Sequence, residues 1–446
     1  KAGLPRVKAG QPADKSRRSR LRYYQTLKFP RGFLWGAATS AHQVEGDNKY
    51  NDWWAWEQAS KHHLKSGQAC QSYKLYNQDI ALVKKLRQNA HRFSIEWSRI
   101  EPKEGQWDYN AIRHYRQVLA ELKRQGLESM VTLHHYTNPR WFAEKGGWTK
   151  KKNIFYFERY VKFIVAELGG LVDFWVTINE PLVYASQSYL VGVWPPCQRR
   201  RWQAYRVYRH LATAHIKAYQ AIHRLAKAKG WRRPKVGVAH NAVSIYSYRK
   251  NSLGDYLFMR LANFIWNHSF YFLTKGRHDF LGINYYFHFR ISRFNFNPVK
   301  FFVNIRNEHR EMSSVGWEVY PQGIFDILLN MKRYNLPIYI TENGVATDNE
   351  SKRERYLVSY LKEVYHAILA GAPVKGYFYW SLLDNFEWEK GFRPRFGLID
   401  VNYNNFKRTV KNTAKIYAEI CKGNSITKRL LKLIGYAIEV KPKKDI

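Results

Sequence analysis

DFWVTINEP, residues 173 to 181, is a short apolar, β-prone run that ends on an asparagine and a glutamate, and PIYITENG, residues 337 to 344, repeats the pattern. A strand buried on both faces reads as a near-continuous apolar run, as in a parallel sheet covered by helices. Working outward from these two, six more runs of the same kind appear: 33 to 43 (FLWGAATSAHQ), 90 to 97 (AHRFSIEW), 128 to 135 (ESMVTLHH), 234 to 241 (PKVGVAHN), 280 to 286 (FLGINYY) and 374 to 380 (VKGYFYW). Helical spacing fills the intervals. Tyr73, Tyr76, Ile80 and Val83 fall on one face, as do Ile112, Tyr115, Leu119 and Leu122 before Gly126, and Leu357, Leu361, Val364 and Ile368 before Gly371. Eight βα units predict a single closed (β/α)8 barrel, an α/β TIM barrel, and no GxGxxG follows the first strand to favour a dinucleotide fold.

The predicted catalytic barrel covers residues 29 to 422. Residues 1 to 28, rich in Lys, Arg, Gly and Pro, read as a flexible basic arm. Residues 423 to 446 read as a basic amphipathic tail, whose ITKRLLKLIGYAI suits packing on the barrel or lying on an anionic membrane.

Bulk composition bounds the function. A chain of 446 residues that is 45% hydrophobic and 24% charged can bury a large core. Cys70, Cys197 and Cys421 have no metal-ligand spacing and cannot all pair, so free thiols in a reducing compartment are expected. With no signal-peptide pattern behind the basic N-terminus and no run of about 18 apolar residues, a cytoplasmic location is the expectation. The charge is unusual: 74 Lys and Arg against 35 Asp and Glu give +39. A solvated basic surface is the plain reading, and weak association with polyanions or an anionic membrane the sharper one; no nucleic-acid motif points to a specific nucleic acid.

In such barrels the chemistry sits at the C-terminal ends of the strands. There the sequence places Gln43, Arg92, His135, Asn179 with Glu180, Asn284 with Tyr285 and Tyr286, Glu342 with Asn343, and Trp380 ahead of Glu387 and Trp388. One glutamate at a strand end is usually a solvated loop charge; polar residues at seven ends are not so explained. Two glutamates facing each other across a barrel suit glycoside hydrolysis, whereas metal hydrolysis would want an HExxH or a paired Asp cluster, and neither is present.

Together, FLWGAATSAHQVEG, HRFSIEWSRI, TINEP, GINYY, ITENG and YWSLLDNFEW resemble glycoside hydrolase family 1, the β-glucosidase family, over about residues 29 to 422. The resemblance implies a retaining β-glycosidase that removes terminal nonreducing β-D-glucosyl residues, with galactosides and fucosides tolerated, by double displacement and without a metal or organic cofactor. It implies Glu180 as acid/base and Glu342 as nucleophile, supported by Arg92, Asn179 and Tyr286. Gln43, His135, Asn179, Glu387 and Trp388 would hold sugar hydroxyls, Trp380 would form the stacking floor and Trp317 a wall on the leaving-group side. Arg92 would keep Glu342 ionised, and that charge would keep Glu180 protonated. Glu387, where the phospho-glycosidase branch lacks an acid, argues for unphosphorylated substrates. Transglycosylation is the enzymatic alternative, and an inactive barrel that binds polyanions the non-enzymatic one.

The chain departs from the family between His240 and Asp279, where the connection is short and aromatic: Tyr256, Phe258, Phe264, Trp266, Phe270, Tyr271 and Phe272. Shortening it should leave apolar surface under-covered, to be closed by a partner subunit, by the C-terminal tail or by a flat apolar ligand such as a porphyrin, unless local repacking closes it.

Overall fold

The computed structural model describes residues 26 to 249, 251 to 291 and 311 to 435. Eight parallel strands close a barrel in chain order: β1 (Leu34–Ala38), β2 (Ala90–Ser94), β3 (Glu128–Thr132), β4 (Phe174–Asn179), β5 (Lys235–Asn241), β6 (Leu281–Asn284), β7 (Ile338–Asn343) and β8 (Val374–Trp380). Ladders run between each neighbour, and β8 returns to β1 through pairs such as Phe378 with Gly36. The expected single (β/α)8 barrel is therefore the observed fold. Every residue of β4 is buried, as a strand with helices outside and a filled barrel inside requires. Phe174 of β4 and Tyr339 of β7 are not ladder neighbours, yet their rings lie 5.1 Å apart, so side chains fill the lower interior.

Amphipathic helices cover the outside. The longest are α1 (Ser72–Lys85), α2 (Tyr109–Arg124), α3 (Ile154–Leu168), α4 (Arg201–Ala228), α5 (Leu253–Asn263), α6 (Pro321–Met331), α7 (Glu350–Leu369) and α8 (Asn412–Gly423). In α2 the buried residues are Ala111, Ile112, Tyr115, Val118, Leu119 and Leu122, one apolar stripe. Asp108 caps its start, accepting from the backbone N–H groups of Asn110 (2.8 Å) and Ala111 (3.1 Å). Gly126, at φ 68°, lets the chain turn from α2 into β3.

Three sequence expectations shift. The first strand stops at Ala38 and residues Ala41–Val44 form a helical turn, so Gln43 projects from a turn above the barrel. The proposed arm is outside the described residues up to 25, but Leu27–Lys28 pairs antiparallel with Ser425–Ile426. Those four residues belong to the expected arm and tail yet pack on the barrel, because Leu27 and Ile426 are apolar enough to be buried on it. The tail then continues as a turn of helix, Lys428–Leu431, with Leu430 and Leu431 buried, and its next turn packs on α7. The rest of the tail, 436 to 446, lies outside the described residues.

Burial sets the response of the fold to pH. His91, His134, His215 and His240 are enclosed, and desolvation pushes each imidazole down to about 4. In the unfolded chain each titrates near 6.5, so the unfolded state gains protons first. This stability is complete above pH 6.5 and declines as pH falls toward 4. The urea midpoint should fall over that window, and His240→Leu should flatten the slope by up to about one bound proton; an unchanged slope in the variant would exclude His240 as a contributor.

Candidate active site

The C-terminal ends of the strands surround a cavity of about 370 Å³. Glu180 follows β4 and Glu342 lies near the end of β7, both buried and both on the cavity wall. Gln43, His135, Tyr286, Trp317, Trp380, Glu387 and Trp388 line the same cavity. Arg92 and Asn179 stand behind that wall, 1% exposed, whereas Tyr285 and Asn343 do not line the cavity: the Tyr285 hydroxyl donates to the Tyr320 carbonyl at 3.0 Å and Asn343 Nδ2 to the Tyr285 carbonyl at 2.6 Å.

Arg92 reaches from β2 across the barrel. Its Nη1 donates to Glu342 Oε1 at 2.5 Å and to the Thr341 carbonyl at 3.1 Å, and its Nη2 donates to Asn179 Oδ1 at 2.8 Å. Tyr286 donates its hydroxyl to the other oxygen, Glu342 Oε2, at 2.7 Å. Burial raises the Glu342 carboxyl, while the guanidinium and this phenol pull it down and favour the ionised form.

Glu180 has different company. Asn284 Nδ2 (2.7 Å) and Asn241 Nδ2 (3.2 Å) donate to Oε1, and the Tyr136 hydroxyl donates to Oε2. These donors are neutral, and among the described residues no cation hydrogen-bonds the group. Desolvation, with the charge of Glu342 second, pushes the carboxyl up to about 7. Asn284 Nδ2 also donates to Asn179 Oδ1 at 3.2 Å, which ties this amide to the Arg92 side of the site. Burial thus raises both carboxyls, and the guanidinium beside Glu342 opposes that rise where Glu180 has only neutral donors.

The remaining residues form a polar ring over an aromatic floor. Gln43 Nε2 donates to Glu387 Oε2 (3.2 Å), the Phe386 carbonyl (2.9 Å) and Asn385 Oδ1 (3.1 Å). Burial first, then neighbouring Glu389, pushes the Glu387 carboxyl up to about 8. His135 shares a hydrogen bond with Asn179 Nδ2 (3.3 Å) and its ring lies near-parallel to those of Trp380 and Trp388, at 6.0 and 6.1 Å. Trp317 meets Tyr286 and Phe287 at 5.3 and 5.2 Å on the far side.

Tyr136, Asn241 and Trp194 escaped the sequence reading. Tyr136 directly follows His135, and its φ of 72° is unusual for a tyrosine. Glu180 (43°) and Trp388 (51°) share that left-handed conformation, which costs about 1–2 kcal/mol per residue. Such backbone is not visible in composition; the signal for Tyr136 was its place directly after His135, where the sequence reading ended the third strand. Among the described residues no group of three or more His, Cys, Asp or Glu could hold a metal ion.

A filled TIM barrel whose mouth holds two buried carboxyls, one beside a guanidinium and one among neutral donors, with an indole floor, defines a glycoside hydrolase. Residues 25 to 272 and 263 to 426 match the description "Glycosyl hydrolase family 1", and the chain belongs to that family. Beta-glucosidase A of Thermotoga maritima is 31% identical, with 90% of this chain and 99% of that protein covered. A beta-galactosidase of Pyrococcus woesei is 28% identical over 90% of this chain and 98% of its own length. The solved beta-glycosidase from Pyrococcus horikoshii superposes with a TM-score of 0.86 at 39% identity, covering 92% of this chain and 99% of that one.

Tyr136 gives a test of the electrostatics. Its hydrogen bond favours the ionised Glu180, so Tyr136→Phe should raise that carboxyl further above about 7. If ionised Glu180 is inactive, the alkaline limb of kcat/KM should then move to higher pH while the acid limb stays. A shift to lower pH would contradict this reading.

Proposed function

We propose that the protein is a retaining exo-β-glycosidase for unphosphorylated β-glucosides, with related β-galactosides and β-fucosides as secondary substrates. The observation that carries the reading is the contrast between Glu342, held by Arg92 and Tyr286, and Glu180, pushed up to about 7. Glu342 is the nucleophile. Glu180 protonates the leaving oxygen, then as carboxylate takes a proton from the water that releases the sugar.

Retention is supported by the kinship with family 1 β-glucosidases and by the anchoring of Glu342 for attack, since Arg92 and Tyr286 each hold one of its oxygens. Gln43, His135, Asn179, Glu387 and Trp388 supply the donors and acceptors a neutral sugar needs, and Trp380 a face for its ring. Among the described lining residues the one cation, Lys390, is already paired with Glu389 at 2.5 Å, so a phosphate group would meet no free cation there. The β-glucosidase and β-galactosidase relatives support the choice of sugar.

Glu342→Ala should abolish turnover of all β-glycosides, activated or not. Glu180→Ala should slow alkyl glycosides by about 10²–10⁴-fold and aryl glycosides with good leaving groups much less. Proton NMR early in the wild-type reaction should show the β-anomer first. An initial α-anomer, or faster turnover of 6-phosphoglycosides than of plain ones, would overturn the proposal.

A further inference from the structure

The short connection from β5 to β6 carries an apolar face that no described residue covers. Ser252 caps α5, its hydroxyl accepting from the Asp255 N–H at 3.2 Å, and the helix runs on through a π-helical turn, Phe264–His268, into Ser269–Thr274. The inner side repacks: Trp266, Phe270 and Tyr271 are buried, and Trp266 Nε1 donates to the Asn241 carbonyl at 3.0 Å. The outer side does not. Leu253, Tyr256, Leu257, Leu261, Phe264 and Ile265, at helical spacing, are 45–72% exposed, and Phe272 is 72% exposed with its ring 6.1 Å from Phe264.

These seven are among sixteen exposed large hydrophobics in the described residues, a cluster on one segment and not scatter. An apolar patch of several hundred Å² on a soluble protein marks an interaction surface. The described tail packs on α7 and does not cover it. A flat apolar ligand needs a concave slot, and the outward face of a helix offers none.

Charge selects the occupant. Between residues 190 and 278 the sequence has seventeen Lys and Arg and one acid, Asp255, which is buried against Arg249 at 2.8 Å. Arg260 lies within the stripe, and Lys275 and Arg277 are exposed at its end. The first turns of α4, which join this segment through the Tyr208 and Ser269 hydroxyls (2.8 Å), expose Trp202 and Tyr205 among Arg201, Arg206 and Arg209. The ion pairs described for this stretch use Lys217, Arg233 and Arg249 instead.

A second copy would press two strongly basic faces together, and a nucleic acid would leave the leucines in water. An anionic bilayer satisfies both features, with headgroups for the arginines and acyl chains for the stripe. No described helix is long and apolar enough to cross a membrane. We propose that this face docks the protein on an anionic lipid surface, with α5 lying in the plane of the headgroup boundary.

Co-sedimentation of the full chain with phosphatidylcholine vesicles, with and without phosphatidylglycerol, tests this. Wild type should bind the anionic vesicles at least about tenfold more tightly, less so as salt rises. Leu257→Gln/Leu261→Gln should weaken binding at least about tenfold, while turnover of a soluble aryl glycoside and the Tm stay unchanged. Arg201→Gln/Arg206→Gln should lower affinity for the anionic vesicles alone. No vesicle binding by wild type, or undiminished binding by the leucine variant, would overturn the proposal. So would tighter binding to duplex DNA that the leucine variant retains, or a solution dimer that the leucine variant dissolves.

Discussion

The guanidinium of Arg92 is the interaction on which the site depends. It is buried in the barrel and tied at once to β7, through Glu342 and the Thr341 carbonyl, and to β4, through Asn179. A buried ion pair gains little over a well-packed apolar one, but losing one partner leaves an uncompensated charge and costs about 3–5 kcal/mol. Arg92 and Glu342 therefore hold each other in place, and their geometry follows from barrel closure. Only a closed sheet brings a side chain of β2 within 2.5 Å of one on β7.

From that pair the polarity of the site follows. Glu342 meets a cation and a phenol; Glu180 meets amides, a phenol and the charge of Glu342. What lies beside them makes the two glutamates unequal, with no difference in the residues themselves.

Much of this was legible in the sequence, for physical reasons. Runs such as FWVTIN and YITEN are apolar because both faces are buried, so strand number and the barrel could be read directly. Residues that point up from strand ends, such as Asn179, Glu342 and Trp380, could be located once the strands were. What was not legible depends on torsion or on contacts distant in sequence. Gln43 and Trp388 were read as site residues, but not that one arrives from a helical turn beyond its strand and the other through left-handed backbone; Tyr136 and Asn241, which meet Glu180, were not read at all. The short ladder between Leu27–Lys28 and Ser425–Ile426 lies near both expected domain boundaries, because pairs of two residues carry no periodicity. The shortened connection before Asp279 was visible as a length, but which of its aromatics turn inward became clear only from the helix phase.

That ladder has a mechanical meaning. The barrel is sealed without a covalent link where β8 meets β1, and the segment before β1 is bound to the one after α8 at the lower end of that seam. Trp35 of β1 adds a bond across it, its indole donating to Asn424 Oδ1 at 2.8 Å. The chain thus behaves as a hoop closed by a small clasp. A peptide linker across the clasp would leave the topology untouched and allow the chain to be opened at another loop. The site, at the opposite rim, would then be built from the same eight strands in a permuted order.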